Sequence, residues 1–239
     1  MRILMSALVI MGFAAPVAAA PYYWTDWTSA TVATAGSASG TIASPQGAVA
    51  VTYTGQVLSP TQTSCGAAYW STNPSIYLGG PVSNGPSPSL PCDMIAMTGG
   101  DGNPGTEPIT GVSTFSFDRP ILNPVMAILS LGQPGVQAQL NFDQPFVILN
   151  QGQGYWSSSF ISTLTHGGSN SRGGDSLLGF EGHGLIMFTG SFQTLTWTMP
   201  AYENWYGFTV GVAGVAPAPG ALAIFGLGLL GLGVVRRRR

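Results

Sequence analysis

Apolar and polar residues alternate with a period of two along much of the middle of the chain. Val49, Val51, Tyr53 and Val57 are spaced by small or polar residues, and Val136, Ala138, Leu140 and Phe142 alternate with Gln137, Gln139 and Asn141. Leu195, Trp197 and Met199 repeat the pattern, as do Phe208, Val210 and Val212. Such spacing places the apolar side chains on one face of an extended backbone, the mark of a half-buried strand. Residues 125–131 form an apolar run, and 185–188 a shorter one. Both fit strands buried on two faces. Residues 114–117 and 146–149 add two further strand candidates. Asp118-Arg119-Pro120, Gln133-Pro134-Gly135 and Asp143-Gln144-Pro145 lie between these runs and read as turns. Nothing between residues 20 and 213 keeps helical spacing over three turns. The expected fold is all-β, an antiparallel β-sandwich or jelly roll.

Two stretches break the pattern. Residues 71–91 carry Pro74, Pro81, Pro86, Pro88 and Pro91 with several glycines, and residues 99–111 are similarly rich in breakers. Both are expected to be long surface excursions. Cys65 and Cys92, the only two cysteines, bracket the first. In an oxidising compartment they are expected to form a disulfide.

The ends differ from the middle. Arg2 precedes an apolar stretch over 3–15, followed by Val17, Ala18 and Ala19. This is the pattern of a secretory signal peptide, residues 1–19, cut by signal peptidase. Cleavage after Ala20 would place Pro21 directly behind the scissile bond, so the cut is assigned after Ala19. At the other end, residues 220–235 are uncharged and reach the lower limit for a membrane span, about 17 residues once their flanks are counted. Arg236, Arg237, Arg238 and Arg239 follow, and the positive-inside preference keeps them cytoplasmic. Pro217, Ala218 and Pro219 precede the span. This tail, residues 214–239, resembles a PEP-CTERM sorting signal: a Pro-Glu-Pro motif, a glycine-punctuated apolar helix and a basic end. Ala218 stands where that family has Glu. The resemblance implies processing by an exosortase, transient anchoring in the inner membrane, then residence at the cell surface or in an exopolysaccharide matrix. Residues 20–213 are left as the folded domain.

Charge narrows the function classes. Charged residues make up 7 % of the chain, against about 25 % in an average soluble protein. There is no lysine, and only Arg119 and Arg172 lie between the targeting ends, against all nine acidic residues. A domain so acidic lacks the cations that phosphate contacts require, which argues against nucleic-acid binding. No G-x-S-x-G motif accompanies His166 or His183, both of which sit among glycines and read as turn residues. Glu181 and Glu203, with Asp175, are the carboxylates a glycan-active hydrolase could pair. Asp101, Asn103 and Glu107 form an oxygen-rich loop with some likeness to a calcium site, without the flanking helices of an EF-hand. No catalytic residue and no cofactor is assigned.

Aromatic residues gather near polar ones at expected loop positions. Tyr155 and Trp156 follow Gly152-Gln153-Gly154, while Tyr202, Trp205 and Tyr206 flank Glu203 and Asn204. Tyr22, Tyr23, Trp24 and Trp27 open the mature chain. Rings beside amides and carboxylates either stack on sugars or cap the ends of a core. Tyr155, Trp156, Glu203, Asn204 and Trp205 are the candidate ligand contacts. The expected function is non-enzymatic: a structural or exopolysaccharide-associated surface protein.

Overall fold

The computed structural model describes residues 22–66, 68–77, 90–99, 111–156, 162–201 and 203–214. The signal peptide, the sorting tail with Pro217 to Pro219 and its arginines, the Asp101, Asn103 and Glu107 loop, and Tyr202 lie outside them. The described chain forms strands β1 (Tyr22–Thr31), β2 (Ala33–Ser44), β3 (Gly47–Val57), β4 (Ile95–Met97), β5 (Ser113–Leu122), β6 (Pro124–Leu131) and β7 (Ala138–Phe142). They are followed by β8 (Phe146–Gly152), β9 (Thr163–Ser169), β10 (Asp175–Phe180), β11 (Gly182–Phe188), β12 (Ser191–Thr198) and β13 (Tyr206–Ala213). Two short 3-10 turns, Ala68–Ser71 and Pro74–Ile76, interrupt the strands. Among the described residues no helix is long and apolar enough to cross a membrane.

Among the described residues every strand pairing is antiparallel, and twelve strands run in the order β8-β11-β6-β13-β1-β2-β3-β5-β12-β7-β10-β9, with β4 added on β13. The bend in this path lies in β1. Tyr22 to Trp24 pair with β13, whereas Thr25 onward pairs with β2. Inside the bend, Trp27 Nε1 donates to Thr209 Oγ1 at 3.0 Å and Thr25 Oγ1 donates to the Val210 carbonyl at 2.7 Å. The two edge strands then approach each other without a ladder. Leu164 N donates to Gln151 Oε1 at 2.7 Å, and Ser162 Oγ donates to the Gly152 carbonyl at 2.8 Å. Side chains therefore satisfy edge groups that backbone pairing leaves open.

The alternating residues meet inside this wrap. Tyr53, Phe115, Trp197 and Phe208 pack ring against ring, with centroids 5.0–5.9 Å apart. Strand β6 is buried along its whole length, as its apolar run predicts. Met126 and Ile128 enter the main core, while Val125, Ala127 and Leu129 point to a second cluster on the outer face. That outer face is covered by the first breaker-rich excursion. Trp70 and Ile76, held in the two 3-10 turns, and Tyr77, which caps the second, are buried on it. Residues 68–77 thus form a lid on the sheet: residues 71–75 stay at the surface as expected, Ile76 and Tyr77 turn inward against that reading, and residues 78–89 lie outside the described residues. The Cys65–Cys92 disulfide closes it, as expected. Asp93 pins it to the sheet, its carboxylate accepting from Trp27 N at 3.0 Å and Cys65 N at 2.6 Å.

Other expectations need correction. Asp118-Arg119-Pro120 is no turn but lies within β5. Between the pairs Ser116↔Thr194 and Ile121↔Phe192, four β5 residues oppose one on β12, and such a bulge accommodates a proline that cannot donate. Tyr22, Trp24 and Trp27 are buried strand residues rather than loop rings. Tyr206 is fully buried in the core. His183 is buried in β11 and His166 sits on β9, so neither is a turn residue.

Burying Ile76 and two aromatic side chains stabilises the lid by roughly 1.5–3 kcal/mol per residue. That sum exceeds the loop-closure contribution of the disulfide, about 3–4 kcal/mol for a loop of this length. Joint replacement of Cys65 and Cys92 by serine is therefore expected to weaken the protein without unfolding it. Urea denaturation should show a loss of about 3–4 kcal/mol with the far-ultraviolet circular dichroism retained in water. An unchanged midpoint would show that the lid is fixed without the bridge.

Candidate functional site

Four aromatic rings meet at the rim of the lid. Tyr69 comes from the first 3-10 turn, Tyr155 and Trp156 from the segment after β8, and Trp205 from the connection into β13. Trp156 is central, with ring centroids 4.8 Å from Tyr155, 4.8 Å from Trp205 and 4.9 Å from Tyr69. Tyr155 is 47 % exposed and Trp156 39 %, while Tyr69 and Trp205 are half-buried beneath them. Amide groups border the rings. Asn204 Nδ2 donates to Gln133 Oε1 at 2.8 Å, and Asn73 Nδ2 donates to the Gln153 carbonyl at 3.0 Å. Three of the predicted aromatic contacts and Asn204 are thus brought to one surface region. Tyr69 was missed, although Tyr69-Trp70 is an aromatic pair a few residues after Cys65.

The rings meet mostly edge to face. The interplanar angles are 82° for Tyr69–Tyr155, 72° for Tyr155–Trp156 and 65° for Trp156–Trp205. This geometry suits the ring quadrupoles and holds the cluster together without ligand. It also leaves a corrugated apolar surface instead of a plane.

Glu203 is not on that surface. Its side chain turns inward, 1 % exposed, and Oε2 accepts from Gly132 N at 2.6 Å. Its other oxygen is buried with no hydrogen-bond partner among the described residues. Glu181 reaches the same end of β6 from the β10–β11 connection, where its Oε1 accepts from Ser130 Oγ. The same oxygen lies 3.5 Å from Nε2 of the fully buried His183. On the other side of the imidazole, Nδ1 lies 3.4 Å from the Tyr77 hydroxyl, which donates to the Ile128 carbonyl at 3.2 Å. Burial holds the Glu203 carboxyl well above the ordinary carboxylate range, and the negative field of Glu181 adds to this against the opposing Gly132 N–H. Asp175 is elsewhere, on β10, with Oδ2 2.9 Å from His166 Nε2. Of the three candidate carboxylates, two converge and one does not.

The buried network is joined to the ring cluster through the backbone. Gly154 rests on the face of His183, so that a methyl group at residue 154 would fall onto the imidazole. Tyr155 and Trp156 follow at once. Glu203 and Asn204 likewise precede Trp205, and the Glu203 backbone N–H is fixed by the Thr98 carbonyl at 2.8 Å. Both ring-bearing segments are therefore seated on buried polar groups. Among the described residues no group of three or more His, Cys, Asp or Glu could hold a metal ion. Comparison with known proteins finds no matching family model, no matching curated protein and no matching solved structure.

A carboxyl whose folded pKa is raised stabilises the fold most below its unfolded value, near ~4.3, and that contribution is lost as pH rises toward the folded value. Glu203→Gln keeps an acceptor for Gly132 N and removes the ionisation. Relative to this variant, the native protein is expected to lose stability as pH rises above ~4.3, read from urea midpoints across a pH series. A constant difference between the two would contradict the burial of an ionisable Glu203.

Proposed function

We propose that the chain is an exported, non-enzymatic glycan-binding module of the cell surface or extracellular matrix. In this reading signal peptidase removes residues 1–19. The 214–239 tail anchors the protein transiently in the inner membrane until an exosortase processes it, and residues 20–213 associate with exopolysaccharide. The targeting part rests on the two ends of the sequence. The binding part rests on the exposed cluster of Tyr69, Tyr155, Trp156 and Trp205 bordered by Asn204 and Gln133. Apolar ring faces stack on the C–H faces of a sugar, and flanking amides bond its hydroxyls. Because the rings are not coplanar, the surface suits a single flexible chain better than a flat crystalline array. We read the architecture as a β-sandwich, its layers being the β8-β11-β6-β13 arm and the β2-β3-β5-β12-β7-β10-β9 arm joined through β1. The shared core between the arms supports this.

A second reading is a glycan-active hydrolase with Glu181 and Glu203 as the carboxylate pair, favoured by their convergence on the end of β6. Their burial supports the binding reading instead. Glu181 is 6 % exposed and Glu203 1 %, and an acid or nucleophile must touch the glycosidic bond it acts on.

The test is affinity electrophoresis of the whole protein through gels containing polysaccharide. Retardation is expected, and Trp156→Ala should weaken it about tenfold, or ~1.4 kcal/mol. Equal retardation of the native protein and the Trp156→Ala variant would overturn the assignment of the site.

A further inference from the structure

We infer that the aromatic site is built for an uncharged glycan and discriminates against acidic polysaccharides. This rests on the glycan-binding reading and names the class of polymer it takes. The argument starts from an inventory that the sequence makes complete. Between the targeting ends there is no lysine, and the only arginines are Arg119 and Arg172. No segment between the targeting ends, described or not, can add a third.

Both arginines are placed away from the rings. Arg119 lies against Gly47 in the β2–β3 turn, and its guanidinium donates to the Gln46 carbonyl at 3.4 Å. With Val212 and Gly214 it lines a cleft of about 440 Å³ at the far end of β13 from Trp205. The eight residues of β13 separate the two ends by roughly 25 Å, at about 3.4 Å per residue. That is more than two Debye lengths at 0.1 M salt, about 10 Å each, so Arg119 exerts little field at the rings. Arg172 donates to Thr196 Oγ1 on β12 at 2.6 Å. Thr196 alternates with the buried Leu195 and Trp197, so Arg172 lies on the outer face of β12. The main core stands between it and the rings, which pack on the outer face of the β6 arm. Tyr22, two residues after the amino terminus that cleavage after Ala19 would create, pairs with Ala213 at the far end of β13.

The histidines do not change this balance. His183 is fully buried, and His166 is 2.9 Å from the Asp175 carboxylate on β10. The nearby buried side chains add no cation: Glu181 accepts from Ser130 and Glu203 from Gly132. A uronate or sulfate sugar placed there would lose hydration without gaining a counter-charge, which is unfavourable. Neutral hydroxyls can meet amides and ring faces. Binding should therefore be nearly independent of salt, unlike the counterion-driven binding of a polyanion to a basic site.

The experiment titrates the full chain in detergent, with Arg236, Arg237, Arg238 and Arg239 each replaced by glutamine so that the tail adds no cationic cluster, and with EDTA present to remove bridging cations, against a neutral glucan, a neutral galactomannan, alginate and polygalacturonate. Binding to a neutral polymer is expected, with affinity changing less than about twofold between low and ~0.5 M salt, and weakened by Trp156→Ala. The acidic polymers should bind at least about tenfold more weakly. Binding to alginate or polygalacturonate as tight or tighter, and lost in Trp156→Ala, would overturn the inference while leaving a glycan site in place. No binding to any of the four would overturn both. Trp197→Phe, in the core, serves as a folded control whose affinity should match the native protein.

Discussion

Strand β6 has no face left for water, and much of the structure follows from that. One side of Pro124–Leu131 fills the main core with Met126 and Ile128; the other carries Val125, Ala127 and Leu129. An antiparallel sheet can expose one polar face, but this arm is apolar on both. Its outer side must be covered, and the chain covers it with the segment that Cys65 and Cys92 close. Trp70, Ile76 and Tyr77 supply the buried area, while the Asp93 carboxylate ties the lid to β1. The ring cluster is the rim of this arrangement, where the lid meets the segments after β8 and before β13.

The acidic residues of the buried network show how a chain so poor in charge uses the few it has. Glu181, Glu203 and His183 are buried together with Ser130 and Tyr77, and their contacts tie the connections they sit in to the ends of neighbouring strands. Ser130 and Glu181 both have positive φ, near 59° and 50°. Non-glycine residues adopt that conformation only where their surroundings hold them there, and the Ser130–Glu181 bond joins the two. The backbones carrying Trp156 and Trp205 thereby gain a rigid seat. An aromatic surface set in place before a ligand arrives loses less conformational freedom on binding.

Much of the fold was legible in the sequence because its strands alternate with large residues. Strands β3, β5, β7, β12 and β13 each place at least two of Val, Leu, Phe, Tyr or Trp on the core side two positions apart. Strand β2 escapes the same reading because its core contacts are Ala38 and Ile42 amid glycine and serine, too small a signal for a hydrophobic period. Strand β1 reads as a cluster of loop rings because it changes partner midway, so its apolar residues do not keep to one face. The site was partly legible: Tyr155, Trp156, Asn204 and Trp205 stand beside turn residues. Glu203 looked like their polar partner, but residue type does not reveal that its side chain turns inward to Gly132. Tyr69 could not be placed with the rings until the lid was seen folded over β6.

The most direct measurement is of the indole N–H resonances of the six tryptophans during addition of a neutral oligosaccharide. Trp156 and Trp205 belong to the surface cluster; Trp27, Trp70 and Trp197 are buried elsewhere and Trp24 lies under the lid. The account predicts saturable shifts of the Trp156 and Trp205 signals with the core indoles unmoved. Shifts confined to the buried tryptophans, or no shift at any of the six, would contradict it.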